Sequence, residues 1–145
     1  MLARSGPIPT RSGWRFELKC DGYRCLVCTH HGFRARSRRG WNMTTLLPEL
    51  ATALPANMQL DGELVAHDAG GQPDFHRLGR RMLHGDTSIP VTFYVFDVLA
   101  ANGEATTALR YRERRALLEA LKLAGRHVHV VEAFDDGETR FEIVL

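Results

Sequence analysis

After a mixed, arginine-containing start, the chain settles into short runs in which apolar and polar residues alternate. Trp14–Cys20 and Tyr23–Thr29 carry the period-two pattern of strands joined at Asp21-Gly22, and Phe33–Ser37 follows as a third strand after the His31-Gly32 turn. Leu46–Leu54 has the apolar spacing of a short helix, with Pro48 tolerable only in its first turn. Met58–His67 alternates again until Ala69-Gly70-Gly71 breaks it. Asp74 can cap a helix running to about His84, and the β-branched and aromatic run Val91–Leu99 predicts a buried strand. A helix is expected over Ala108–Leu123, with Leu109, Leu117, Leu118 and Leu121 on one stripe and Glu113, Arg114 and Arg115 off it. Val128–Ala133 predicts a further strand, and Asp135-Asp136-Gly137 opens a last segment that ends at Ile143-Val144-Leu145.

This order predicts a single α+β domain with a mostly antiparallel sheet and flanking helices. With 145 residues, 44% hydrophobic and 25% charged, the chain can build a core, which excludes disordered, collagen-like and disulfide-scaffold classes. An apolar terminus directly after a helix-start signal is the mark of a truncated domain, although a C-terminal helix docked on the core gives the same pattern. No signal-peptide core or long apolar run occurs, and the three cysteines are an odd number. Reduced thiols, a cytoplasmic location and no membrane partner follow as expectations. Cys25 and Cys28 point to opposite faces of a strand and read as core thiols, and no histidine has a partner at metal-ligand spacing.

Charge changes the picture more than composition does. Residues 1–40 carry nine basic side chains against Glu17 and Asp21, a net +7, which leaves −5 for the rest of a chain whose total is +2. A basic first quarter on a near-neutral chain suggests a face that meets phosphate, though solvated charge alone gives the same count. Seventeen of the nineteen basic residues are arginine. Lysine is therefore unusual here, and of the two basic types only lysine can lose its proton and act as a nucleophile, which singles out Lys19.

Lys19 lies in Glu17-Leu18-Lys19-Cys20-Asp21-Gly22-Tyr23-Arg24. At the end of a strand Lys19 and Glu17 share a face and Arg24 returns on the next strand, so a lysine, a carboxylate and an arginine can converge, a set suited to an amine attacking phosphorus while arginine holds phosphate or ribose oxygens. Three later segments add to it: the basic turn Ser37-Arg38-Arg39-Gly40, the paired carboxylates of Leu60-Asp61-Gly62-Glu63-Leu64, and the aromatic pair Tyr94 and Phe96 within Phe93–Leu99.

In this order the segments resemble the nucleotidyltransferase superfamily of ATP-dependent DNA ligases, especially the bacterial end-joining type. The resemblance runs from the lead-in Met1-Leu2-Ala3 through motif I (Lys19–Arg24), motif Ia (Ser37–Gly40), motif III (Leu60–Leu64) and motif IIIa (Phe93–Leu99). It implies a partial ATP-grasp-like nucleotidyltransferase domain over residues 1–145. It also implies that Lys19 takes AMP from ATP as a phosphoramidate, that Glu17 reads adenine, that Arg24 binds ribose and that Arg38 binds the 5′-phosphate of a DNA nick. Glu63 would contact ribose or a Mg²⁺ or Mn²⁺ ion, and Phe96 would stack on adenine, with Tyr94 and Asp97 as further candidates. Nicked double-stranded DNA is the implied partner. The family's motif IV, its motif V lysines and its OB-fold have no counterpart in these residues, so the chain is expected to be incomplete alone, with a second polypeptide or a longer chain supplying them. Motif I is shared with RNA ligases and capping enzymes, which leaves those activities, and a non-catalytic remnant, as alternatives.

Overall fold

The structure is a computed structural model that describes residues 6, 9 and 12–135. The lead-in Met1-Leu2-Ala3 and the segment from Asp136 to Leu145 lie outside the described residues. The chain divides into two compact units, residues 1–19 with 131–145 and residues 20–130. In the first unit, β1 (Phe16–Glu17) pairs antiparallel with β8 (Ala133–Phe134), and Arg15 donates to Asp135 at 3.1 Å and to the Ala133 carbonyl at 3.3 Å.

The second unit is built on the strands β2 (Tyr23–Cys28), β3 (Arg34–Ser37), β4 (Met58–Val65), β5 (Thr92–Ala101) and β6 (Glu104–Ala105), paired antiparallel in the order β3-β2-β4-β5-β6. One further strand, β7 (Val128–Val130), runs parallel to β5. Alternation sets the core: Cys25 and Val27 from β2, Ala35 from β3, Leu60 and Leu64 from β4, and Phe93, Val95 and Val98 from β5 are buried on one face. The α+β class and the mostly antiparallel sheet therefore stand.

Several boundaries differ from the pattern-based expectation. Trp14–Cys20 is not one strand hairpinned to Tyr23–Thr29; only Phe16–Glu17 is extended, and its partner is β8. The reason is edge occupancy, because β3 and β4 already take both edges of β2. Lys19 and Glu17 consequently do not share a strand face. The helix expected over Leu46–Leu54 is the shorter α1 (Pro48–Ala53), with Pro48 in its first turn as expected and a 3-10 turn at Thr44–Leu46 before it. The predicted strand Val128–Ala133 breaks after Val130 into β7 and β8. Cys25 is a core thiol as expected, whereas Cys28 and Cys20 are only partly buried.

Helix α2 (Phe75–His84) begins at Asp74, whose carboxylate accepts from the Arg77 amide at 3.0 Å, and ends at Gly85 with φ +68°. Helix α3 (Tyr111–Ala120) is shorter than its apolar pattern and buries a different line. Leu118 is fully buried and Arg115 nearly so, but Leu109 and Leu117 are exposed. Leu109 precedes the helix, and Arg115 is held by Glu119 one turn on at 2.7 Å, so its stem can be covered without stranding its charge.

Arg81 on α2 is 2% exposed. It donates to the Leu46, Thr87 and Ile89 carbonyls and pairs with Glu49 at 2.8 Å, tying α2 to α1 and to the loop after α2. Removing one member of such a buried pair leaves uncompensated charge and carbonyls. Arg81→Met should therefore lower the unfolding free energy by about 3–5 kcal/mol in urea titration, while Arg80→Met, which removes an exposed pair with Asp86, should leave the midpoint nearly unchanged. Burial also pushes the Cys25 thiol up to about 12. In the folded chain at pH 8 a thiol-specific reagent should label Cys20 and Cys28 and spare Cys25, and mass mapping of the labelled peptides checks this.

Candidate functional site

The face of the sheet opposite the core carries the residues with chemistry. Register places Arg24, Glu63, Tyr94 and His129 side by side across β2, β4, β5 and β7, and places Arg36, Leu26, Asp61 and Asp97 in the next row. Between Val95, which opposes Gly62, and Asp97, which opposes Asp61, Phe96 has no counterpart on β4. This bulge shifts the phase of β5, so that Val95 and Val98 both enter the core and Phe96 and Asp97 between them stay partly exposed.

Asp61 is 5% exposed, and a carboxylate so buried requires a cation. Arg24 supplies it, with Nε donating to Oδ1 at 3.0 Å and Nη2 to Oδ2 at 2.5 Å. The same guanidinium lies over the Phe96 ring, 5.4 Å from its centroid, which adds a cation–π contact. Hydrogen bonding to Asp61 raises the Arg24 pKa above its ordinary value; partial burial opposes the rise, and the charges of Asp61, Glu63 and Asp97 add to it. Asp61 engages the Nε and Nη2 edge, so the Nη1 edge is the one that can meet a ligand oxygen.

Tyr94 is flanked by two histidines. Its hydroxyl lies 3.2 Å from His67 Nε2, and its ring stacks on His129 with centroids 5.8 Å apart. Burial, and secondarily the charge of Cys20, raise the Tyr94 pKa, which keeps the phenol neutral. Asp97 holds Arg114 of α3 through two bonds of 2.8 and 2.9 Å, so its carboxylate serves to anchor that helix.

Two glycines in these segments answer to close approach. A Cβ at Gly22 would overlap the Leu64 carbonyl oxygen, and one at Gly62 would meet the Phe93 ring and the Tyr94 carbonyl oxygen, each at 2.5 Å. The Arg38-Arg39 tip follows β3 beside the Arg24 row, because Ser37 opposes Cys25. Arg24, Glu63, Phe96 and Arg38 thus belong to one unit, with Arg24 and Phe96 in contact and Glu63 beside Arg24 in register. Glu17 in β1 and the exposed Lys19 belong to the other. Asp61 is the residue whose role sequence reasoning missed. The signal was present, since two carboxylates on one strand face cannot both be buried without a cation. The partner depended on a diagonal reach from β2 that only the register reveals.

Residues 7–139 match the family model described as the ATP dependent DNA ligase domain. The multifunctional non-homologous end joining DNA repair protein LigD of Mycobacterium tuberculosis is 42% identical over 129 residues, covering 83% of this chain and 16% of that protein. The multifunctional non-homologous end joining protein LigD of Pseudomonas aeruginosa is 39% identical over 142 residues, covering 94% of this chain and again 16% of the relative. The chain therefore spans about a sixth of the length of these relatives. Among solved structures, the ligase domain of M. tuberculosis LigD superposes with a TM-score of 0.75 at 38% identity, over 90% of this chain and 43% of that one. A mycobacterial DNA ligase D complexed with ATP and MES gives 0.71 at 35% identity, over 89% and 43%. Matched over most of its length by the family model, and at this identity by curated relatives and by a solved ligase domain, the chain belongs to the ATP-dependent DNA ligase family.

Proposed function

We propose that residues 1–145 form the first part of a ligase adenylation domain and that Lys19 carries its chemistry. The neutral Lys19 amine attacks the α-phosphorus of ATP and a nitrogen–phosphorus bond forms. The bond from that phosphorus to the bridging oxygen breaks, its electron pair leaving with pyrophosphate, and the amine proton passes to solvent. The product is a lysyl-AMP phosphoramidate, from which AMP is passed to the 5′-phosphate of nicked duplex DNA.

The observation that carries this reading is the Arg24–Asp61–Phe96 arrangement on the open sheet face. Asp61 fixes the guanidinium so that its outer edge is pre-aimed at ribose oxygens, and fixing a donor before binding lowers the entropic cost of using it. Phe96 offers a ring face to adenine, and Glu17 is assigned to the adenine amine by the motif resemblance alone. Glu63, one strand over from Arg24, faces the ribose.

A hard divalent cation is part of this reading, held chiefly by the triphosphate and water. Among the described residues no three His, Cys, Asp or Glu side chains form a metal cage, and Asp61 is engaged by Arg24. As the motif III resemblance implies, Glu63 would share Mg²⁺ or Mn²⁺ with triphosphate oxygens and water, the ligands such ions prefer. When bound, the ion neutralises phosphate charge so that an electron pair can approach the anion.

Arg38, exposed at the tip after β3, is assigned to the 5′-phosphate of the nick. Complete sealing draws on motif IV and motif V groups outside these residues, from a longer chain or a second polypeptide. The use of ATP and DNA implies a cytoplasmic site of action. No helix among the described residues is long and apolar enough to cross a membrane.

Incubation of the chain with α-labelled ATP and Mg²⁺, followed by a denaturing gel, should leave label on the protein. Lys19→Arg, which keeps the charge and removes the nucleophile, should abolish it, and a persisting adduct would refute the assignment. Phe96→Ala should weaken ATP binding measured by calorimetry by roughly 1–3 kcal/mol, the range found for base–aromatic stacking. Unchanged affinity would remove Phe96 from the nucleotide site.

A further inference from the structure

From Gly22 to Pro48 the chain holds no Asp or Glu, while Arg24, Arg34, Arg36, Arg38 and Arg39 all fall inside that stretch. Arg24 is neutralised by Asp61. Elsewhere in the same unit Arg80, Arg81, Arg114 and Arg115 each hold a carboxylate. Arg34, Arg36, Arg38 and Arg39 make no ion pair among the described residues, and all four are exposed. The only side-chain hydrogen bond they make among the described residues is from Arg36 Nη1 to the Gly40 carbonyl at 3.4 Å. Four unneutralised like charges within six residues repel one another, so this concentration works against the folded state unless an anion relieves it.

Their placement is ordered. Ala35 between Arg34 and Arg36 is fully buried, which puts both arginines on the face opposite the core, about 7 Å apart along β3. That face is the one bearing Arg24, Glu63 and Phe96. Arg36 opposes Leu26, which opposes Asp61, so its backbone lies two strand spacings, about 10 Å, from that of Asp61. Charged residues on a border strand often serve to deter pairing with other chains. That duty is already met here. The returning segment covers the outer edge of β3, with Arg36 bridged to Asn42, the Met43 amide on the Ala35 carbonyl and the Ala35 amide on Thr44 Oγ1. The Arg38-Arg39 tip is closed by the Gly40 amide on the Ser37 carbonyl and the Trp41 amide on Ser37 Oγ, so both arginines project from a fixed turn.

We infer that Arg34 and Arg36, continuous with the Arg38-Arg39 tip, form a track for the phosphate backbone of duplex DNA along the β3 border of the nucleotide face. The track holds the duplex without reading its sequence. This deepens the ligase reading and rests on it for the identity of the polyanion. Arginine's planar, permanently charged fork suits phosphate oxygens, and a row on a rigid strand loses little order when it binds.

The test is fluorescence anisotropy of the 145-residue chain with a labelled nicked duplex, repeated across a salt series. Arg34→Ala combined with Arg36→Ala should reduce the slope of log K against log salt by about 1.8, the value for two lost phosphate contacts. Arg34→Lys with Arg36→Lys should restore most of the slope. Arg77→Ala with Arg126→Ala, which removes the same charge elsewhere, should leave it at the wild-type value. Circular dichroism and urea midpoints of all variants check that folding is retained. A slope unchanged in the alanine pair, or reduced equally by the Arg77 and Arg126 pair, would overturn the proposal. So would binding to single-stranded RNA or polyglutamate in preference to the duplex. Labelling by α-labelled ATP, run in parallel, separates the two readings. Loss of the Lys19 adduct with the slope change intact removes only the ligase chemistry, whereas an intact adduct with an unchanged slope removes only the track.

Discussion

A side chain at position 62 would collide with the Phe93 ring and the Tyr94 carbonyl oxygen, and the arrangement of the sheet around β4 follows from the absence of one. With no Cβ in the way, Phe93 fills the space and is fully buried. That fixes which residues of β5 face inward. Phe93 and Val95 enter the core, Tyr94 goes outward, and the bulge beside Gly62 turns Phe96 and Asp97 away from it. At Gly22 the same close approach brings the entry of β2 against the Leu64 carbonyl. Both glycines stand where backbone occupies the room a side chain would need, and each lies next to a residue of the candidate site.

On this frame, arginine serves two opposite purposes. Three buried or half-buried guanidiniums are matched: Arg81 with Glu49, Arg24 with Asp61, Arg114 with Asp97. These pairs hold α2, the open face of the sheet and α3 in place, and their worth comes from geometry and extra carbonyl partners more than from charge alone. Where the side chain is solvated, along β3 and its turn, matching stops. The fold thus neutralises guanidiniums that tie its elements together and leaves the four along β3 and its turn to solvent.

Much of this was legible in the sequence because short-range rules set it. Asp74 and Gly85 mark α2, the alternation of Met58–Val65 marks β4, and the Asp-Gly-Glu and Lys-x-Asp-Gly-x-Arg segments carry the family resemblance. What escaped depended on register or on competition between strands. Phe16–Glu17 has a strand-like pattern, yet its partner is β8 because β2 has no edge to offer it. Leu117 fits the apolar stripe of α3 but is exposed, since Arg115 and Leu118 face the sheet in its place. The pairing of Arg24 with Asp61 rather than with Glu63, its neighbour in register, required knowing how far a guanidinium reaches diagonally.

Strand β7 bears on how the domain is made. It lies parallel to β5, beside Phe93, Tyr94 and Val95, and is synthesised only after α3. On the ribosome, β2 through β6 can pair as neighbours while the edge of β5 at Phe93–Val95 still shows its amides and carbonyls to water. That interval exposes an apolar edge to other nascent chains. The pace of translation through α3 would then govern how much of the newly made protein reaches its native form and how much is lost to aggregation.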